Sequence, residues 1–303
     1  MRIIEFDINN VPEEFSNINL CLGFFDGVHL GHQRMIKAAV EEGHPVGVLT
    51  FDNPPHFVTG QINNKRCLTS IDEKADYFEE LGVKYMFILT FDEVTRNIYR
   101  LDFVDLVLRK FKPHKVYCGE DFRFGKDALG DAKFLKQHLD VEVTPLLSKN
   151  GLKVSSKDIR EHVKNGDVNK AVSLLGHPYR IVGEVKNGMH QGAKIGFPTA
   201  NLDLDFPYVM PKEGVYMGYC VAFNKKYKAM ISVSTHPTFN QLLKPIIEVH
   251  ILDFSGMLYG ITIYVDFVDR IRDIIKFDSP EELIKQLNKD KEFITKHLQL
   301  EDK

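Results

Sequence analysis

Two rhythms of apolar positions divide the chain. Up to about residue 178, short apolar runs at 18–25, 46–51, 85–91, 115–119 and 141–147 alternate with stretches at 33–42, 72–81, 102–111 and 131–139, in which apolar residues recur every three or four positions. The runs have the length and content of buried strands, and the stretches between them have the period of amphipathic helices. This alternation predicts an α/β unit with a doubly wound parallel sheet, where ligands bind beyond the carboxyl ends of the strands. From Tyr179 onward, runs at 179–185, 214–223, 228–233, 246–254 and 260–267 follow one another with no helix between them. They predict a compact antiparallel β-barrel. A helix returns only at the end. Ser279-Pro280-Glu281-Glu282 reads as a capping box with proline at the first helical position, and Leu283, Ile284, Leu287, Phe293 and Ile294 supply an apolar face. The predicted domains are 1–178 and 179–303, with a helical segment over 169–175 just before the boundary.

The turns after the strands ending at 25, 51 and 119 hold the unusual residues. The first is Gly23-Phe24-Phe25-Asp26-Gly27-Val28-His29-Leu30-Gly31-His32. Gly27 and Gly31 allow a tight turn and close backbone approach, and the free N–H groups of the helix start favour an anion. If the backbone is helical from His29 to His32, both imidazoles face one way and can donate to one phosphate, without a Walker lysine. Ordinary surface or core histidines are the plainer alternative. A shared metal ion is the other, although no third ligand with zinc-like spacing lies nearby. The second turn is Thr50-Phe51-Asp52-Asn53-Pro54-Pro55. The third, Gly119-Glu120-Asp121-Phe122-Arg123-Phe124-Gly125, sets a cation between two aromatic rings and suits a planar heterocycle bearing phosphate; Phe122 and Phe124 could equally fill the core. Ser155-Ser156-Lys157-Asp158-Ile159-Arg160 offers hydroxyls at a helix start with a cation one turn in, which fits phosphate binding or plain N-capping.

The second half has its own glycine-rich loop, Gly188-Met189-His190-Gln191-Gly192-Ala193-Lys194-Ile195-Gly196-Phe197-Pro198-Thr199-Ala200-Asn201. Its N–H groups can cradle phosphate, and Thr199 and Asn201 offer neutral oxygens to Mg²⁺. Glu248, in Ile247-Glu248-Val249-His250, alternates with core-facing residues. It is expected at a barrel mouth, where a carboxylate can take a proton from an attacking hydroxyl.

Composition narrows the classes. The 303 residues suit two domains of about 150 residues each, and 44% hydrophobic with 27% charged content is that of an ordinary folded chain. No apolar run approaches a bilayer span, and the first residues lack the regions of a signal peptide, so a cytoplasmic location without membrane association is expected. Four scattered cysteines with no C-x-x-C fit reduced thiols, and a net charge of −3 argues against a nucleic-acid partner. Small molecules are the expected partners, and self-association is left open.

In order along the chain, G-F-F-D-G-V-H-L-G-H, G-E-D-F-R-F-G, S-S-x-x-I-R, G-F-P-T-A-N and E-V-H-I-L-D-F resemble the bacterial bifunctional riboflavin kinase and FAD synthetase family over nearly the whole length. The resemblance implies that the barrel transfers the γ-phosphoryl of ATP to riboflavin, giving FMN. The first domain would then join FMN to AMP, giving FAD and pyrophosphate. His29 and His32 would bind the triphosphate within the turn Gly23, Phe25, Asp26, Gly27 and Gly31, and Ser155, Ser156 and Arg160 would hold phosphates. Asp121, Phe122, Arg123, Phe124 and Arg272 would lie near flavin. Gly188, Gly192, Lys194 and Gly196 would cradle phosphate in the barrel, Thr199 and Asn201 would hold Mg²⁺, and Glu248 would be the base. The chain departs from the family pattern at Asn53 and Pro54 in the turn Phe51-Asp52-Asn53-Pro54-Pro55, at Lys157 and Asp158, and at Ala193, Ser232, His236 and Ile274. Retention of one activity only, or a flavin-sensing protein derived from the enzyme, are the alternatives.

Overall fold

The computed structural model describes residues 1–54, 66–187, 191–237 and 243–300. Pro55, Gly188, Met189 and His190 lie outside them, as does the side chain of His236. Packing divides the chain into Met1–Ser156 and Lys157–Lys303.

The first unit is built on six parallel strands: β1 (Arg2–Phe6), β2 (Asn19–Leu22), β3 (Val46–Phe51), β4 (Tyr85–Leu89), β5 (Lys115–Gly119) and β6 (Val141–Thr144), in the order β1-β4-β3-β2-β5-β6. Both faces are covered, which is why the strands read as unbroken apolar runs. Leu20, Leu22, Leu49, Phe87 and Val116 pack on one side against Phe103, Leu108 and Phe111. Cys21, Val48, Met86, Ile88 and Tyr117 pack on the other against α1 (Leu30–Glu41) and α2 (Ile71–Glu80) through Met35, Ile36, Ala39 and Phe78. β1 was not anticipated; with one buried residue, Phe6, it is an edge strand with a weak pattern. The stretch 131–139 is helical only over Ala132–Leu135. With β3 on one side of β2 and β5 on the other, the winding reverses between β2 and β5, and the two marked loops Gly23–His32 and Gly119–Gly125 leave the carboxyl ends of those strands.

The second unit opens with helices α3 (Ser156–Asn165) and α4 (Val168–Leu175), and α4 packs against the barrel. By packing, therefore, residues 157–178 go with the barrel, ahead of the boundary expected at 178. The barrel strands are β7 (Tyr179–Lys186), β8 (Ala200–Asp203), β9 (Gly214–Ala222), β10 (Lys225–Pro237), β11 (Leu243–Ile251) and β12 (Thr262–Arg272), closed in the order β7-β8-β11-β10-β9-β12 with antiparallel neighbours. Ile181, Tyr216, Ile231, Val249 and Phe267 are buried and fill the interior. The intervening residues face outward, and α5 (Pro280–His297) lies along that outer face with Ile294, Ile284 and Leu287 against Val215, Met230 and Phe197. Only half of the capping box forms. Ser279 Oγ accepts from the Glu282 N–H at 3.3 Å, while the Glu282 carboxylate accepts from the Asp278 N–H instead of the N-cap. All four cysteines are buried.

Candidate active sites

The turn after β2 is held in an uncommon backbone path. Phe25 (φ 57°), Gly27 (φ 81°) and Val28 (φ 36°) all lie at positive φ. For a β-branched residue such as Val28 this costs about 1–3 kcal/mol, a strain that persists only where surrounding bonds over-determine it. Those bonds are present. Asp26 Oδ1 accepts from the Leu68 and Thr69 N–H groups at 2.8 and 3.3 Å, and the Gly27 N–H donates to Thr69 Oγ1 at 2.9 Å. The Phe24 carbonyl accepts from Thr50 Oγ1 at 3.1 Å and from Lys74 Nζ at 2.8 Å. Lys74 is 1% exposed and its ammonium lies 3.7 Å from the centre of the Phe24 ring. The sequence reading missed it, because a lysine in a helical stretch carries no sign of burial.

His29 lies outside the helix. It is the N-cap of α1, and its Nδ1 accepts the His32 N–H at 3.4 Å, which leaves the proton of the neutral ring on Nε2. The two rings stack, with centroids 3.6 Å apart and 15° between their planes. The stack sets the two rings side by side, where both can donate to one phosphate, and among the described residues no third metal-ligating side chain joins them. Gly31 makes room for the stack, since an added Cβ would stand 3.2 Å from the His29 ring. Burial, His29 and then Lys74 hold His32 well below the usual histidine range, so its imidazole is neutral before an anion arrives. Ser156 joins this turn, its hydroxyl donating to the Asp26 carbonyl at 2.8 Å. Arg160 is half-buried on α3 in the other unit, and Ser155 is half-buried at the end of the preceding segment.

In the loop after β5, Phe124 is a core residue, 5.3 Å from the Phe103 ring, and Phe122 packs partly buried beside it. Phe124 also edges a cavity of about 460 Å³ with Phe51, Phe91 and Phe103, and with the cations Arg96, Arg123 and Lys126. Arg123 is exposed, and its Nη1 donates to the Phe122 carbonyl at 3.0 Å. Asp121 is exposed and stands outside that wall, turned back towards Gly119.

In the barrel, strand register assembles the site. Asn201 pairs with Glu248, Glu248 with Ser232, Ser232 with Val215 and Val215 with Arg272, forming one row across β8, β11, β10, β9 and β12. Glu248, Ser232, Val215 and Arg272 line a cavity of about 360 Å³ with Gly192, Thr199, His250 and, from α5 and the segment before it, Ile274, Leu283 and Leu287. The interior positions on β11 belong to Ile247 and Val249, so Glu248 faces a groove on the outer side of the barrel and not its mouth. Thr199 also lines a second cavity of about 240 Å³ with Val185, Val249, Ile251, Phe254 and Tyr259. Gly192 is required where it sits, since an added Cβ would meet the Phe197 carbonyl oxygen at 2.3 Å. Lys194 and Gly196 are exposed, the latter at φ 84°. His250, also missed from sequence, donates from Nδ1 to the Pro198 carbonyl at 2.8 Å and fixes the backbone beside Thr199; burial holds it below the usual histidine range.

Two family models match the chain, one in each half. Residues 11–158 match FAD synthetase and residues 175–298 match riboflavin kinase. The chain belongs to the bifunctional riboflavin kinase/FMN adenylyltransferase family. The family's members from Bacillus subtilis and Listeria monocytogenes are 34% and 35% identical to it, over 93% and 92% of this chain and 93% of each relative. The Escherichia coli member is 32% identical over 94% of this chain and 93% of its own. A crystal structure from Streptococcus pneumoniae, named a macrolide-efflux protein, has a TM-score of 0.91 at 30% identity and covers 99% of this chain and 100% of that one. The name is that protein's own; among the described residues here, no helix is long and apolar enough to cross a membrane.

Proposed function

We propose that the barrel unit phosphorylates riboflavin with ATP to give FMN, and that the sheet unit joins FMN to the AMP part of a second ATP to give FAD and pyrophosphate. The observation that carries the kinase reading is the row Asn201–Glu248–Ser232, of which Glu248 and Ser232 line a cavity whose Thr199 wall is shared with a second, mostly apolar cavity. Riboflavin occupies the Glu248 cavity and ATP the other, so that the two reactants meet at Thr199. Glu248 takes the proton of the terminal ribityl hydroxyl as its oxygen bonds to the γ-phosphorus, and ADP leaves with the electrons of the broken P–O bond. Thr199 and Asn201 fit Mg²⁺, which takes few protein oxygens and keeps phosphate and water for the rest. The ion supplies charge neutralisation when bound. Gly192 lets the loop backbone lie close beside that phosphate.

In the sheet unit, His29 and His32 donate to the triphosphate at the α1 start while an FMN phosphate oxygen attacks the α-phosphorus and pyrophosphate leaves. No proton need move in that exchange, so orientation and donated hydrogen bonds are the protein's whole contribution. The cavity edged by Phe51, Phe91 and Phe124 takes the flavin ring, with Arg96, Arg123 and Lys126 towards its phosphate. Incubation of the purified chain with ATP and Mg²⁺, once with riboflavin and once with FMN, tests both assignments. FMN appearing before FAD in the first run, and FAD in the second, is expected; absence of either product removes the corresponding half.

A further inference from the structure

Helix α5 carries a buried carboxylate that neither reaction uses. Asp290 is 2% exposed and one turn before Ile294, on the side of α5 that packs on the barrel. Its Oδ2 accepts from Arg272 Nε at 2.9 Å and from Nη2 at 2.7 Å, and its Oδ1 accepts from Gln286 Nε2 at 2.8 Å. Arg272 Nη1 donates to the Asp273 carbonyl at 3.0 Å. A guanidinium has five N–H groups, so one on each terminal nitrogen lies outside these bonds. Arg272 is at the far end of the row from Glu248, three strand spacings away, about 14 Å by ordinary sheet geometry. That separation is on the order of the reach from the end of a ribityl chain to the carbonyl edge of a flavin ring, with the guanidinium closing the remainder. Leu283 and Leu287 of the same helix, with Ile274 and Phe277 before it, wall that end of the cavity with apolar surface.

We infer that Asp290 is a positioning residue for flavin recognition: it fixes Arg272 so that the two remaining N–H groups face the carbonyl edge of the heterocycle. The inference rests on the kinase reading of the cavity. Binding of the ring end, and not the phosphoryl step, is what Asp290 governs. Its removal therefore acts on riboflavin affinity and leaves the reaction of bound riboflavin alone.

The test is Asp290→Asn in the full chain. Asparagine keeps the shape and one acceptor for Arg272, and Gln286 can turn its amide to accept from the other side, so the helix stays docked while the charge is lost. Losing one charge-assisted bond raises the KM for riboflavin about tenfold, with kcat, the KM for ATP and the FMN-to-FAD reaction unchanged. Binding of lumichrome, the ring without its ribityl chain, followed by fluorescence quenching, weakens by the same factor. An unchanged riboflavin KM and unchanged lumichrome affinity overturn the inference. So does a joint fall in kcat and ATP affinity, which is the mark of a merely structural carboxylate. If Asp290→Asn does not fold, Gln286→Ala reads the same anchor: a smaller rise in riboflavin KM alone supports it, and no rise overturns it. Wild-type protein that fails to phosphorylate riboflavin, or retained phosphorylation in Glu248→Gln, would overturn the kinase reading instead.

Discussion

The two halves make their sites by opposite means. In the sheet unit a single stretch, Gly23 to His32, supplies both histidines and the helix start, and more distant residues serve to hold its strained path: Thr50, Leu68, Thr69 and Lys74. In the barrel unit no stretch contains the site. Asn201, Glu248, Ser232 and Arg272 come from four strands and meet because antiparallel register sets them in one row. A site made by a turn is sensitive to the bonds that clamp the turn. A site made by register is protected by the whole barrel and can be altered one side chain at a time.

Substitutions separate the two designs. The largest effect is expected from Glu248→Gln, which removes the proposed base without changing size. FMN formation should fall about 1,000-fold while FMN-to-FAD conversion holds. His32→Asn comes next, removing one of two stacked donors; FAD formation from FMN should fall about 100-fold with FMN formation unaffected. Equal losses in both reactions, from either folded variant, would break the comparison. Gly192→Ala sharpens it, because the new Cβ forces the loop away from the Phe197 carbonyl. The kinase kcat/KM for ATP should drop about 10- to 100-fold by misplacement, and the melting of the sheet unit should not change.

The smallest effect is in acid stability. His32 titrates well below the usual 6.5 when folded and near it when unfolded, so the unfolded chain binds the extra proton first. The stability His32 contributes is therefore complete above about pH 6.5 and declines as pH falls below it, by at most about 1.4 kcal/mol per pH unit. Thermal melts of wild type and His32→Gln between pH 7 and 5 should converge as pH drops. Parallel curves would mean that His32 is not held neutral.

The difference in construction also decides what could be read from sequence. The parallel sheet, the barrel and the closing helix follow from their apolar periods, and the turn at Gly23–His32 could be found because its chemistry is contiguous. The capping role of His29 and its stacking on His32 could not be, since the reading assumed helical backbone at His29, and the N-cap conformation depends on the whole clamp. Lys74 was hidden for the same reason: only the docking of α2 under the turn buries it. In the barrel, Glu248 was singled out as a candidate base but assigned to the mouth. Alternation along β11 does separate it from Ile247 and Val249, yet which face carries the site depends on where α5 packs. Strand β8 was missed because its four residues, Ala200–Asp203, follow a loop with stronger turn signals. The row that joins Asn201 to Arg272 exists only once that strand is paired.

The claim that each half carries a complete and separate site is tested most directly by mixing. Glu248→Gln and His32→Asn proteins are incubated with riboflavin, ATP and Mg²⁺, first singly and then together, and the flavins are separated. Alone, the first variant should leave riboflavin unreacted and the second should stop at FMN. Together they should make FAD, because FMN released by one barrel is adenylylated by the other chain's sheet unit. A mixture of two folded variants that makes no FAD would contradict the account.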